Sequence, residues 1–251
     1  MRGLALLLTL ALPLLAQAQA PAGRTRLTWL GHAAFLVQTP GGANLLVDPW
    51  LDNPKAPKDF RLPATIDAVL VSHGHGDHVG TAKDLVAKGA RLVAINELGA
   101  LLGAQMTGNL GGSVRVKDAT IHLVPAVHSS SYDPGDGKPV YAGEPVGFVI
   151  RIDGGPTIYH AGDTALFGDM ELIGRTLRPT VALLPIGGHF TMDPEAAAEA
   201  ARLLGAETVV PMHYGTFDLL RGTPAAFEQA LRSARAKAKV QVAEPGKALA
   251  F

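Results

Sequence analysis

The chain has 251 residues, 47% of them hydrophobic and 18% charged, which supports a packed domain and excludes long disordered stretches. Basic and acidic residues both number 22, so no net charge draws the chain to nucleic acid or to an acidic membrane. Cysteine is absent, which excludes disulfides and leaves His, Asp and Glu as the donors for any metal site.

At the N-terminus, Arg2 precedes an apolar run from Gly3 to Leu15, followed by Ala16-Gln17-Ala18-Gln19-Ala20. A basic start, a short apolar segment and small residues at alternate positions describe a secretory signal peptide. The run falls short of the roughly 20 apolar residues that span a bilayer. Pro21 disfavours cleavage after Ala20, so residues 1–18 are expected to be removed, with the cut after Ala18. A periplasmic or secreted protein with no stable membrane insertion follows; an uncleaved N-terminal anchor is the alternative.

Residues 24–251 are expected to form the functional domain. Arg26–Trp29, Ala34–Gln38 and Asn44–Val47 read as strands, the last two joined at Pro40-Gly41-Gly42. Ala68–Val71 is a continuous apolar run, as in a strand buried on both faces. A helix is predicted over Val79–Lys88, closed by Gly89, then a strand over Arg91–Ile95 and a helix over Glu97–Met106 capped by Asn96. Further strands are predicted at Thr120–Pro125, Gly147–Ile152, Thr157–His160, Val181–Pro185 and Thr208–Pro211. Asp193-Pro194-Glu195 opens a helix that Gly205 ends, and Thr223 caps a last helix running to about Lys237. Strand groups mixed with helices in two comparable halves suggest two sheets packed together with helices outside.

His73, His75, Asp77 and His78 follow the buried strand directly. Two histidines separated by one residue can reach one ion from a loop, while Asp77 and His78 turn toward a second, and Gly74 and Gly76 allow the tight backbone this needs. His128, Asp163 and His213 each stand just past the end of another predicted strand, where open α/β sheets gather functional groups. A hydrolytic metal site needs firm ligands, open positions for water and substrate, and neutral imidazoles that leave the ion's charge uncancelled.

The H-x-H-x-D-H motif with its later His, Asp and His resembles the metallo-β-lactamase superfamily. Gly31-His32-Ala33-Ala34-Phe35, Asp48-Pro49-Trp50, Gly162-Asp163-Thr164, Pro185-Ile186-Gly187-Gly188 with Thr191-Met192, and Pro211-Met212-His213-Tyr214-Gly215-Thr216 narrow this resemblance to its metal-dependent hydrolase branch. That branch is similar to the ascorbate-phosphate lactonase and N-acylphosphatidylethanolamine phospholipase D groups. The resemblance covers the chain from about residue 26 onward. It implies an α/β fold, a four-layer αββα sandwich of two mixed sheets with helices on the outer faces. It also implies a binuclear site, with His73, His75 and His128 on one divalent ion and Asp77, His78 and His213 on the other. Asp163 would bridge them, and Zn²⁺ is favoured over Mn²⁺, Ni²⁺ or Fe. A hydroxide between the ions would attack an ester, lactone or phosphodiester-type bond of a small molecule. The signal segment is a departure, because members of that branch usually lack one.

Beyond the ligands, Asp77 is a candidate catalytic residue, as are His32, near the site by the resemblance, and His189, a substrate contact or proton donor past a strand end. Asp48 is divided evenly between supporting a metal-bound imidazole and capping a turn. Loop 129–145 is expected to shape the pocket, and Tyr214 to pack. Three other functions compete. A β-lactamase reading is opposed by Asp163, which such enzymes with this motif lack; a di-metal redox role would want a glutamate where His75 stands. A metal-binding protein without turnover is the third, and homo-oligomer formation is left open.

Overall fold

The computed structural model describes residues 23–104 and 107–251, so the predicted signal segment and Met106 lie outside the described residues. The first half runs β1 (Arg26–Trp29), β2 (Phe35–Gln38), β3 (Asn44–Val47), β4 (Ala68–Leu70), α1 (Gly76–Val79), α2 (Ala82–Ala87), β5 (Arg91–Val93), α3 (Asn96–Leu101), β6 (Ser113–Val116) and β7 (Ala119–Pro125). A small hairpin, β8 (Ser131–Tyr132) and β9 (Val140–Tyr141), leads to β10 (Val146–Ile152) and β11 (Thr157–His160). Then follow α4 (Met170–Leu177), β12 (Val181–Pro185), α5 (Pro194–Leu204), β13 (Thr208–Met212), α6 (Pro224–Ser233), β14 (Lys239–Val240) and β15 (Ala248–Ala250).

Six strands form one mixed sheet in the order β15-β1-β2-β3-β4-β5, and seven form the other in the order β14-β13-β12-β11-β10-β7-β6. Side chains of both sheets share one continuous buried core. Its driving force is visible in the strands: all of β4 and all of β12 are buried, so neither can face water on either side. On the outer faces, α2 packs on β4 and β5, and α5 packs on β12 between α4 and α6. This is the expected four-layer αββα arrangement. No helix of the described residues is long and apolar enough to cross a membrane.

The caps of the last two helices behave as read. Asp193 accepts from the Ala196 N–H at 2.8 Å with Pro194 in the first turn, and Thr223 accepts from the Ala226 N–H at 3.2 Å.

Three expected helices differ. The one predicted over Val79–Lys88 is broken at Gly80, whose φ of 42° turns the chain between α1 and α2. The third begins at Asn96 with Ile95 as its cap residue and ends at Leu101, without a side-chain cap bond. The last stops at Ser233, because Arg235 adopts a left-handed conformation and the Ala236 N–H turns back to Leu231 O. β6, β8, β9, α4, β14 and β15 were not expected. The strands among them are short; β15 and β14 rest on distant pairing, with β1 and β13, while β6 and β8 form local hairpins with β7 and β9.

Candidate metal centre

Strand direction gathers the chemistry. β1 and β3 both run antiparallel to β2, and β4 is parallel to β3, so the chain leaves all three at one edge of the first sheet. His32, Asp48 and His73 follow those three ends. In the second sheet β11, β12 and β13 are parallel, and β7 shares their direction because both β7 and β11 oppose β10. His128, Asp163, His189 and His213 follow the ends of β7, β11, β12 and β13. His32, Asp48, His189 and His213 all have positive φ, at 52°, 44°, 58° and 55°. Such backbone strain in non-glycine residues concentrates at functional sites.

Donor atoms of His73, His75 and His128 lie within 4.8 Å of one another, as do those of His32, Asp77, His78 and His213, and those of His73, His78 and Asp163. Asp163 stands between the groups. Its Oδ1 is 3.2 Å from His78 Nε2, and its Oδ2 is 3.0 Å from His213 Nε2 and 3.7 Å from His128 Nε2. His78 Nε2, His213 Nε2 and Asp163 Oδ1 are nevertheless buried without a hydrogen-bond partner among the described residues. Unpaired buried polar atoms are costly. Three of them converging on one point fit a cation shared between them.

Hydrogen bonds behind the cluster set the histidine tautomers. Asp48 is buried, and its carboxylate accepts from the Ser72 N–H, the Ser72 hydroxyl and His78 Nδ1–H, each at 2.8 Å. Ser72 Oγ, its proton given to Asp48, accepts from His73 Nδ1–H at 3.0 Å. Both imidazoles therefore use Nδ1 as a donor and turn Nε2 inward, the atom through which a metal would bind once it displaces any proton there.

The electrostatics agree. Burial pushes His73, His75 and His128 below the ordinary 6.5, which keeps them neutral near pH 7. Burial opposes charge on Asp163 and Asp77 too, but neighbouring histidines outweigh it and hold both carboxyls low: His213 and His78 for Asp163, His32 and His78 for Asp77. At His78 burial disfavours a cation, yet Asp163 and Asp48 on either side hold its imidazole well above its ordinary value. A position that draws a proton so strongly also suits a metal ion.

His32 is fully buried and donates from Nε2 to Asp77 Oδ2 at 3.1 Å, while Nδ1 meets the Thr216 hydroxyl at 2.6 Å. Burial lowers it to about 4 despite the bond to Asp77, so it is a neutral support for that carboxylate. A cavity of about 550 Å³ opens over the cluster, lined by His75, Asp77, His128, Asp163 and His213 among others. His189 is not among its lining residues; it is exposed and lines the adjoining cavity with Asp193 and Arg221, while Phe190 lines the cavity over the histidines. Loop 129–145 is divided: Ser129 lines that cavity, whereas Ser131, Tyr132 and Pro139 line a separate one behind His75. Tyr214 packs against Trp29, with ring centroids 5.3 Å apart.

Residues 26–213 match the beta-lactamase superfamily domain. The chain belongs to this superfamily. Within it, a UPF0173 metal-dependent hydrolase from Myxococcus xanthus is 56% identical over 92% of this chain and 85% of its own length. Another from Rubrobacter xylanophilus is 46% identical over 90% of this chain and 97% of its own. Igni18, described as a novel metallo hydrolase from the archaeon Ignicoccus hospitalis, has a solved structure with a TM-score of 0.78. It is 40% identical, over 90% of this chain and 98% of that one.

Ser72 and Thr216 carry supporting bonds that their positions alone do not announce. Ser72 was visible only as the hydroxyl before the first histidine, and Thr216 only as the end of the His213 motif.

Proposed function

We propose that the chain holds two divalent ions and hydrolyses an ester, lactone or phosphodiester-type bond of a small molecule after export to the periplasm or beyond. His73, His75 and His128 would hold one ion, Asp77, His78 and His213 the other, with Asp163 between them. The convergence of unpartnered His78 Nε2, His213 Nε2 and Asp163 Oδ1 in a buried site is the observation that carries this reading. Zinc fits the all-nitrogen-and-oxygen donor set best, ahead of Mn²⁺, Ni²⁺ or Fe. Such ions, when bound, polarise the scissile group and lower the pKa of water to about 7.

The protein's own residues do the rest. Asp48 and Ser72 hold the His73 and His78 rings in the inward-facing tautomer. His32, backed by Thr216, fixes one oxygen of Asp77, which lines the cavity. His32 is thus a positioning residue, since its burial keeps it from substrate.

The test strips the purified protein with a chelator, restores Zn²⁺, and assays 4-nitrophenyl esters, lactones, bis(4-nitrophenyl) phosphate and nitrocefin. Turnover of a member of the first three groups should return with metal and be lost, together with bound metal, in His75→Ala. Nitrocefin as the fastest substrate would replace the reading with amide hydrolysis. Activity that survives loss of metal would end it. For export, N-terminal sequencing of the mature protein should start at Gln19.

A further inference from the structure

The walls of the catalytic cavity differ sharply from its floor. Above the histidines and carboxylates stand Phe190, Phe217 and Leu219, which leave 48%, 37% and 50% of their surface exposed. Phe217 is held from behind: Trp50 stacks on it with centroids 5.6 Å apart, and the buried His32 ring meets both edge-on, at 5.1 Å to Trp50 and 5.4 Å to Phe217. Among the described residues no Lys or Arg lines the cavity, while Asp77 and Asp163 do. The basic residues closest in sequence lie outside this lining. Lys55 lies over the Tyr214 ring, 5.5 Å from its centroid, and Arg221 lines the adjoining cavity. Ser129 is the remaining polar lining residue.

Resting on the hydrolase reading above, we propose that the substrate is an uncharged carboxylic ester or lactone whose apolar alkyl or aryl group lies against Phe190, Phe217 and Leu219. Three exposed apolar side chains gain by covering such a group. An anionic group on that tail would lose its hydration against these side chains, away from the ion-binding floor and with no lining Lys or Arg to replace the water. Phe217, fixed by stacking, loses little freedom when it binds, so this part of the wall is ready before substrate arrives. The overall reaction is redox-neutral. The oxygen of water bonds to the carbonyl carbon, the bond from that carbon to the leaving oxygen breaks, and the leaving oxygen takes one proton while the acid releases the other.

Two measurements on the zinc-loaded full chain test this, one independent of turnover. Hexanohydroxamate and adipic acid monohydroxamate share a metal-binding head and a six-carbon length, and differ in a terminal carboxylate. Calorimetry should show the uncharged one binding at least tenfold more tightly, with the difference shrinking severalfold in Phe190→Ala and Leu219→Ala. Equal affinities, or a preference for the carboxylate, would overturn the proposal. In turnover, kcat/KM for 4-nitrophenyl esters should rise from acetate to hexanoate by about threefold to fourfold per added methylene, as burial of each group predicts. That rise should flatten in the same variants, and bis(4-nitrophenyl) phosphate should be slower than the hexanoate ester. A faster phosphodiester overturns the carbonyl assignment. A clear tail preference in binding with no ester or lactone hydrolysed also overturns it, and then the hydrolase reading fails while the apolar wall stands.

Discussion

At the scale of single residues, Asp48 carries more of the centre than any residue outside the donor set. Its two oxygens take three protons, and through Ser72 and His78 they orient both an imidazole of the first donor group and one of the second. In Asp48→Asn one oxygen becomes an NH₂ group that faces a donor, so a supporting bond turns into a clash. Supporting partners of this kind are worth about 10–100-fold in metal affinity. Zinc affinity measured by chelator competition should fall by that amount in Asp48→Asn, with the circular dichroism unchanged. Unaltered affinity would show that the tautomers are set elsewhere. The candidate donors were legible from the close spacing of His73, His75, Asp77 and His78 after one apolar run, and from His128, Asp163 and His213 just past others. Asp48 was ambiguous for a physical reason: a carboxylate before Pro49 reads equally as a turn residue until the strand beside it is known. His189 shows the opposite limit, since it also follows a strand end but a left-handed backbone separates its course from that of Phe190.

At the scale of elements, long apolar strands and side-chain-capped helices were readable, and breaks were not. Periodicity over residues 79–88 continues through Gly80, yet the chain turns there because α1 lies against the segment after β3. A Cβ on Gly80 would stand 2.2 Å from the Pro49 carbonyl oxygen, and its φ of 42° disfavours any side chain. Gly80→Ala should therefore cost about 1–3 kcal/mol from backbone strain. The clash should also displace α1, with Asp77 and His78 on it. Thermal melts and zinc titration together check this. A variant with wild-type melting and wild-type affinity would mean that the turn is not tied to the centre. The short strands β14 and β15 escaped notice because their stability comes from partners far away in sequence rather than from their own pattern.

At the scale of the whole molecule, neither sheet owns the centre. His32, Asp48 and the first motif come from one sheet's edge, and His128, Asp163 and His213 from the other's. The two are pinned beside the site. His160, buried at the end of β11, donates from Nε2 to Ala33 O at 2.9 Å and accepts from the Gly162 N–H at 3.1 Å, just before Asp163. His213 N–H likewise donates to His32 O at 3.0 Å. A ligand set spread over both sheets makes metal binding report on their correct packing. The most direct measurement is metal content per chain after zinc loading and gel filtration. Wild type should retain about two equivalents and Asp163→Asn no more than one, because the Asp163 carboxylate reaches His128 of one donor group and His78 and His213 of the other. A wild-type protein that holds one equivalent or none, or an Asp163→Asn protein that keeps both, would contradict a bridged two-metal centre.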